Sequence, residues 1–161
     1  MSYASRSTTR KRSGFGCSEN SRVDRCGKAG HVGHRTLLYD LVGGEAGVNR
    51  LVETFYDIVE TEPQGAPLHI LHMRGHGVSH SRIEQFHFLS GFFGGPQLYL
   101  ERHGHANVRQ MHAHVEISAE ARDAWLTCMS MAIDRMGLAD AIKAQMMGPF
   151  TRVANVLVNT V

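Results

Sequence analysis

The segment "NVRQMHAHVEI", residues 107–117, sets two imidazoles, His112 and His114, one alanine apart. Imidazole nitrogen is the commonest protein ligand for a transition metal, so either ring is a candidate ligand. The chain carries 11 histidines, however, and they cannot all serve. Two other side chains bring polar tips into apolar helical rows: Tyr56, beside Phe55 in "LVETFYDIV", and Trp125 in "ARDAWLTCM". Taken alone, each reads first as a core aromatic whose OH or NH finds a backbone carbonyl. Gln85 raises the same question, because a glutamine among apolar neighbours needs partners for its amide.

The elements that must position these groups read as helical throughout. "GVNRLVETFYDIVE" places Val48, Leu51, Val52, Phe55, Ile58 and Val59 on one 3.6-residue stripe. Gly43-Gly44 separates it from a short helix, "RTLLYDLV". Pro63, Gly65, Pro67, Gly75 and Gly77 argue against a long regular helix in the next stretch. "VSHSRIEQFHFLSGFF" is helical again and ends at "GGPQLY". A looser segment, residues 100–117, precedes Ser118, which reads as an N-cap with Glu120 in the first turn. That helix stops at Gly137, and a last one is expected to be interrupted at Gly148-Pro149. The pattern predicts an all-α domain of about five helices, with no strand and an irregular middle.

At 161 residues with 42% apolar content, the chain suits one globular domain with a core. No apolar run is long enough for a membrane-spanning helix, and the N-terminus lacks the apolar region of a secretory signal. Cys17, Cys26 and Cys128 form no CxxC, so a reducing, cytoplasmic setting without a disulfide framework is expected. Charge is uneven: residues 1–35 hold eight of the 17 Lys/Arg but only Glu19 and Asp24 among the 15 acids. This segment is rich in Ser, Gly and Arg and poor in large apolar residues, so it reads as a disordered tail. An unstructured tail or a misplaced start codon is preferred there to a nucleic-acid-binding arm. Its Cys17, Cys26, His31 and His34 have spacings that match no common zinc pattern. Residues 36–161 form the folded domain.

"LVETFYDIV", "FLSGFFGGPQLYLERHGH", "VRQMHAHVEI" and "ARDAWLTCM", in that order and spacing, resemble the truncated globins, specifically their group II. The resemblance covers roughly residues 36–160. It implies a two-over-two helical sandwich enclosing one b-type haem. The family's "RxxHxxxxI" segment falls on Arg109, His112 and Ile117, which implies His112 as the iron ligand. A neutral imidazole suits an iron that keeps its sixth position open for a gas. Where members usually have "HxPF" this chain has "HAHV", leaving His114 as a rival. On the opposite haem face the resemblance implies Tyr56 and Trp125 as donors to bound dioxygen, with Ser81 and Gln85 also facing the iron. His72 matches a histidine or aromatic before that helix, although "MRGHGVSH" is about two residues longer than the common form. Phe55, Phe88, Leu89, Arg109 and Val115 complete the expected haem-binding set, with Phe86 and Phe92 as cage or core. His76 and His80 are expected in solvent, and His69, His87, His103 and His105 at the surface or behind the pocket wall.

The function these residues imply is binding of O2, and of CO and NO, at a pentacoordinate haem iron. Several donors around the gas slow its release, which suits redox chemistry, sensing or detoxification. Peroxidase-like or NO-dioxygenase-like turnover would need an external reductase. Simple reversible oxygen binding or storage is the second reading. A haem-free, histidine-rich helical protein binding zinc or copper is the third. Oligomeric state is left open.

Overall fold

Residues 36–160, which the computed structural model describes, form eight α-helices: α1 (Leu38–Val42), α2 (Gly44–Thr61), α3 (Ala66–Arg74), α4 (Val78–Phe92), α5 (Leu98–His103), α6 (Val108–Met111), α7 (Ala119–Met136) and α8 (Asp140–Leu157). A 3-10 turn, Pro63–Gly65, joins α2 to α3. The expected basic tail, and its Cys17, Cys26, His31 and His34, lie outside the described residues.

The stripe on α2 organises the rest. Val48, Leu51, Val52, Phe55, Tyr56, Ile58 and Val59 are all buried, spaced so that one face of the helix is apolar. That face packs on α7 and α4, while α7 packs on α8. Two helix pairs, α2 with α4 and α7 with α8, are thus stacked through α2 and α7 as a two-over-two sandwich. Cys128, Met129, Ala132 and Ile133 of α7 and Met146 and Phe150 of α8 supply the facing core. Cys128 is a buried free thiol.

The "GGP" break has a steric cause. Gly94 sits at φ +91°, a conformation that side chains with a Cβ rarely adopt. A Cβ on Gly95 would fall 2.4 Å from the Tyr39 ring. Tyr39 N–H also donates to the Phe93 carbonyl at 2.9 Å, so α1 is fastened where α4 ends.

Ser118 caps α7 as expected, its side chain accepting from Ala121 N–H at 3.2 Å. Ser118→Ala is therefore expected to lower stability by about 1 kcal/mol, read as a shift of the urea midpoint with no change in slope.

Two expectations are corrected. There are more than five helices, because the looser segments contain α3, α5 and α6. α6 forms because Asn107 caps it, its side chain accepting from Gln110 N–H. α8 also runs unbroken through Pro149. Met146, Phe150 and Ala154 are buried at four-residue intervals along it, and their packing outweighs the roughly 3 kcal/mol an interior proline costs.

Candidate functional site

Between α4 on one side and α6–α7 on the other lies a cavity of about 420 Å³, a size usual for small-molecule and cofactor sites. Its wall brings together Tyr56, His72, Ser81, Gln85, Phe88, Leu89, His112, Val115 and Trp125, residues drawn from stretches up to 69 positions apart in sequence.

Tyr56 is 2% exposed and donates its OH proton to Gln85 Oε1 at 3.0 Å. Its oxygen also lies 3.4 Å from His72 Nε2. His72 Nδ1 is 2.7 Å from the Leu68 carbonyl; a carbonyl only accepts, so Nδ1 carries the proton and Nε2 keeps a lone pair. Burial lowers the His72 pKa, against the Leu68 hydrogen bond that raises it, so the ring is neutral at pH 7. One phenol proton therefore faces two acceptors. Burial also raises the Tyr56 pKa well above the usual phenol value, partly offset by the nearby Arg82 charge.

Gln85 Nε2 is buried and has no hydrogen-bond partner. A buried amide without acceptors is costly, and an acceptor atom placed in the cavity would satisfy it. Arg82 holds this wall in register. It donates to the Glu53 carbonyl and to Glu53, Asp57 and Glu60 on α2, with its guanidinium carbon 5.5 Å from the Tyr56 ring centroid.

On the facing wall, Val108, Met111, His112 and Val115 line the cavity, spaced as one side of a helical turn. His112 caps the C-terminus of α6. Its Nδ1 lies 2.8 Å from the Val108 carbonyl, which fixes the proton there and leaves the Nε2 lone pair available. Metal-binding histidines are commonly oriented by such a carbonyl. His114 is exposed and has no equivalent anchor among the described residues. Trp125 packs between Phe55 at 5.6 Å and Phe150 at 5.3 Å between ring centroids.

Two expected residues do not reach this wall. Phe55 is fully buried one position behind Tyr56 and meets its ring edge-on at 4.9 Å, so it supports the wall from the core. Arg109 is exposed, because the α6 face that carries His112 at i+4 from Val108 turns Arg109 outward. His76 and His80 are exposed, as expected, but they line the cavity mouth.

One residue had no local signal. Asn159 accepts from Ile117 N–H at 2.8 Å and donates to the Val115 carbonyl at 2.9 Å, pinning the segment that follows His112. Asn159→Ala is expected to lose about 2 kcal/mol of stability, measured by urea unfolding; an unchanged midpoint would show the clamp to be idle.

The bacterial-like globin family model matches residues 37–159. The chain belongs to that family, among the group II truncated haemoglobins. It is 35% identical over 121 residues to the Group 2 truncated hemoglobin YjbI of Bacillus subtilis, covering 75% of this chain and 87% of that one. The group II 2-on-2 hemoglobin of Agrobacterium tumefaciens superposes with a TM-score of 0.74 at 30% identity, over 80% and 98% of the two chains. A truncated oxygen-avid haemoglobin from Bacillus subtilis gives 0.67 at 34% identity, over 77% and 100%.

This truncated haemoglobin is therefore a haem protein of a family that binds oxygen-type ligands. The haem-free metal-binding reading falls with that finding. Among the described residues no three His, Cys, Asp or Glu side chains form a metal cluster, and no described helix is long and apolar enough to cross a membrane. The cavity fits a haem: one anchored imidazole on one wall, uncharged hydrogen-bonding groups on the other, and Leu68, Leu89, Phe92, Phe150 and Val153 around them.

Proposed function

We propose that the chain holds one haem b through His112 Nε2 and binds O2 tightly at the opposite face, for redox or nitrogen- and oxygen-species chemistry. The observation that carries this reading is the Tyr56–Gln85 pair, with Gln85 Nε2 buried and unpartnered.

When bound, the haem supplies an iron that takes diatomic gases, CO and NO as well as O2. The protein does the rest. His112 is held in one tautomer by the Val108 carbonyl. Gln85 Nε2 presents N–H donors to the gas, and the Tyr56 hydroxyl is shared with it when it leaves Gln85 or His72. The Trp125 indole N–H is the third donor in the set, and the apolar wall keeps these dipoles from water, where they are worth less. Ser81 donates to the Gly77 carbonyl at 3.0 Å, which holds the start of α4 and leaves its oxygen as an acceptor only.

Donors in that number slow release of the gas. The Bacillus subtilis structure at 34% identity is described as oxygen-avid, which supports the same reading here. Slow release suits peroxidase-like or NO-dioxygenase-like turnover, with electrons from an external reductase, in the cytoplasm. Residues 36–161 form the haem domain. The alternative, reversible oxygen storage, requires fast release. The visible spectrum of the purified protein under CO and O2, followed by O2 dissociation kinetics, tests both. A protein without a Soret band ends the haem b assignment, and release in milliseconds favours storage.

A further inference from the structure

We propose that His76, His80 and His114 form the edge of the cavity that receives a carboxylate of the haem; the inference rests on the haem b reading. His76 lies in the turn after α3, His80 in the first turn of α4, and His114 just beyond α6. Their rings nonetheless gather. The His76 ring centroid is 5.0 Å from that of His80 and 6.2 Å from that of His114. All three are exposed and all three line the cavity, so they bridge its two walls at the mouth.

Two histidine-bearing stretches far apart in the sequence thus meet. One is "MRGHGVSH", with His76 and His80, and the other is "HAHV", with His114. Separately, each reads as a surface histidine. Together they offer three imidazoles around one opening, and none of them makes a hydrogen bond or ion pair with another described residue.

Protoporphyrin carries two carboxylates on one edge. A buried carboxylate without partners is strongly disfavoured, so that edge belongs at an open, donor-rich part of the wall. Another polar stretch of this cavity is unsuited. It holds Glu84, already paired with His103 at 2.7 Å and near Arg102 at 3.4 Å, and a second carboxylate beside Glu84 meets like charge. At the mouth, each imidazole has an N–H to donate in its neutral form, so the contact needs no change of protonation.

The test is haem transfer from the holoprotein to excess apomyoglobin, followed at the Soret band. Wild type is compared with a variant carrying His76→Ala, His80→Ala and His114→Ala, each loaded with iron protoporphyrin IX or with its dimethyl ester. The variant is expected to lose iron protoporphyrin IX roughly ten-fold faster. With the ester, whose carboxylates are capped, the two proteins are expected to lose haem at equal rates. Unchanged loss of the free acid overturns the proposal, as does equal acceleration with both porphyrins. Failure of the haem b reading looks different: the wild type itself then takes up neither porphyrin.

Discussion

His112→Ala is expected to abolish the five-coordinate ferrous haem spectrum, whereas His114→Ala leaves it intact. Both rings come from the same short segment, so their chemistry is separated by anchoring and direction. The Val108 carbonyl accepts two bonds from His112, from Nδ1 at 2.8 Å and from the backbone N–H at 3.3 Å. The ring is thereby held both in rotamer and in tautomer, with the Nε2 lone pair as its remaining coordinating atom. His114 is exposed at the mouth beside His76. Losing the ligand removes the iron–nitrogen bond and leaves a hole the size of an imidazole. Added imidazole is therefore expected to restore the deoxy spectrum of His112→Ala in part. The reverse result, a normal deoxy spectrum in His112→Ala and a lost one in His114→Ala, would overturn the ligand assignment.

How much of this was legible in the sequence follows from the range of each interaction. The α2 stripe, the Ser118 cap and the Gly94-Gly95 break were readable because their causes lie within a turn or two of chain. The polar tips of Tyr56 and Gln85 were visible as anomalies in apolar rows; their pairing across 29 residues came only with the fold. α6 escaped prediction because a four-residue helix has too little periodicity to register, and its Asn107 cap stood among glycine and histidine. Arg109 and His112 share a motif, but Arg109, one position on from Val108, is turned off the side that Val108, Met111 and His112 present to the cavity. The Asn159 clamp acts across 42 and 44 residues, and nothing near Asn159 announces it. The mouth histidines show the same limit: each belongs to a separate local pattern, and only the fold, which sets α4 across the cavity from α6, makes them neighbours.

Tyr56→Phe is expected to speed O2 release by roughly ten- to a hundred-fold, the range for losing a hydrogen bond to a partly charged acceptor. This hydroxyl acts in two ways. Its proton is held by Gln85 Oε1 at 3.0 Å, with His72 Nε2 at 3.4 Å, so it orients the amide whose unpartnered Nε2 donates to the gas, and it donates to the gas itself when it leaves those acceptors. The variant leaves both acceptors unpaired, and a modest loss of stability is expected with the faster release. The pH dependence follows from the direction of the Tyr56 shift. Burial disfavours the phenolate, so the folded-state pKa lies above the ordinary value of about 10. The proton is retained where a free tyrosine would lose it, and O2 release from wild type is expected to stay flat up to about pH 10. A release rate that climbs with a midpoint below 10 would mean that the phenol is less shielded than its 2% exposure implies. Stopped-flow displacement of O2 by CO gives both measurements. If Tyr56→Phe, Trp125→Leu and Gln85→Leu all left the rate unchanged, the gas would not be held by side-chain donors, and tight binding would have to originate at His112 on the other face.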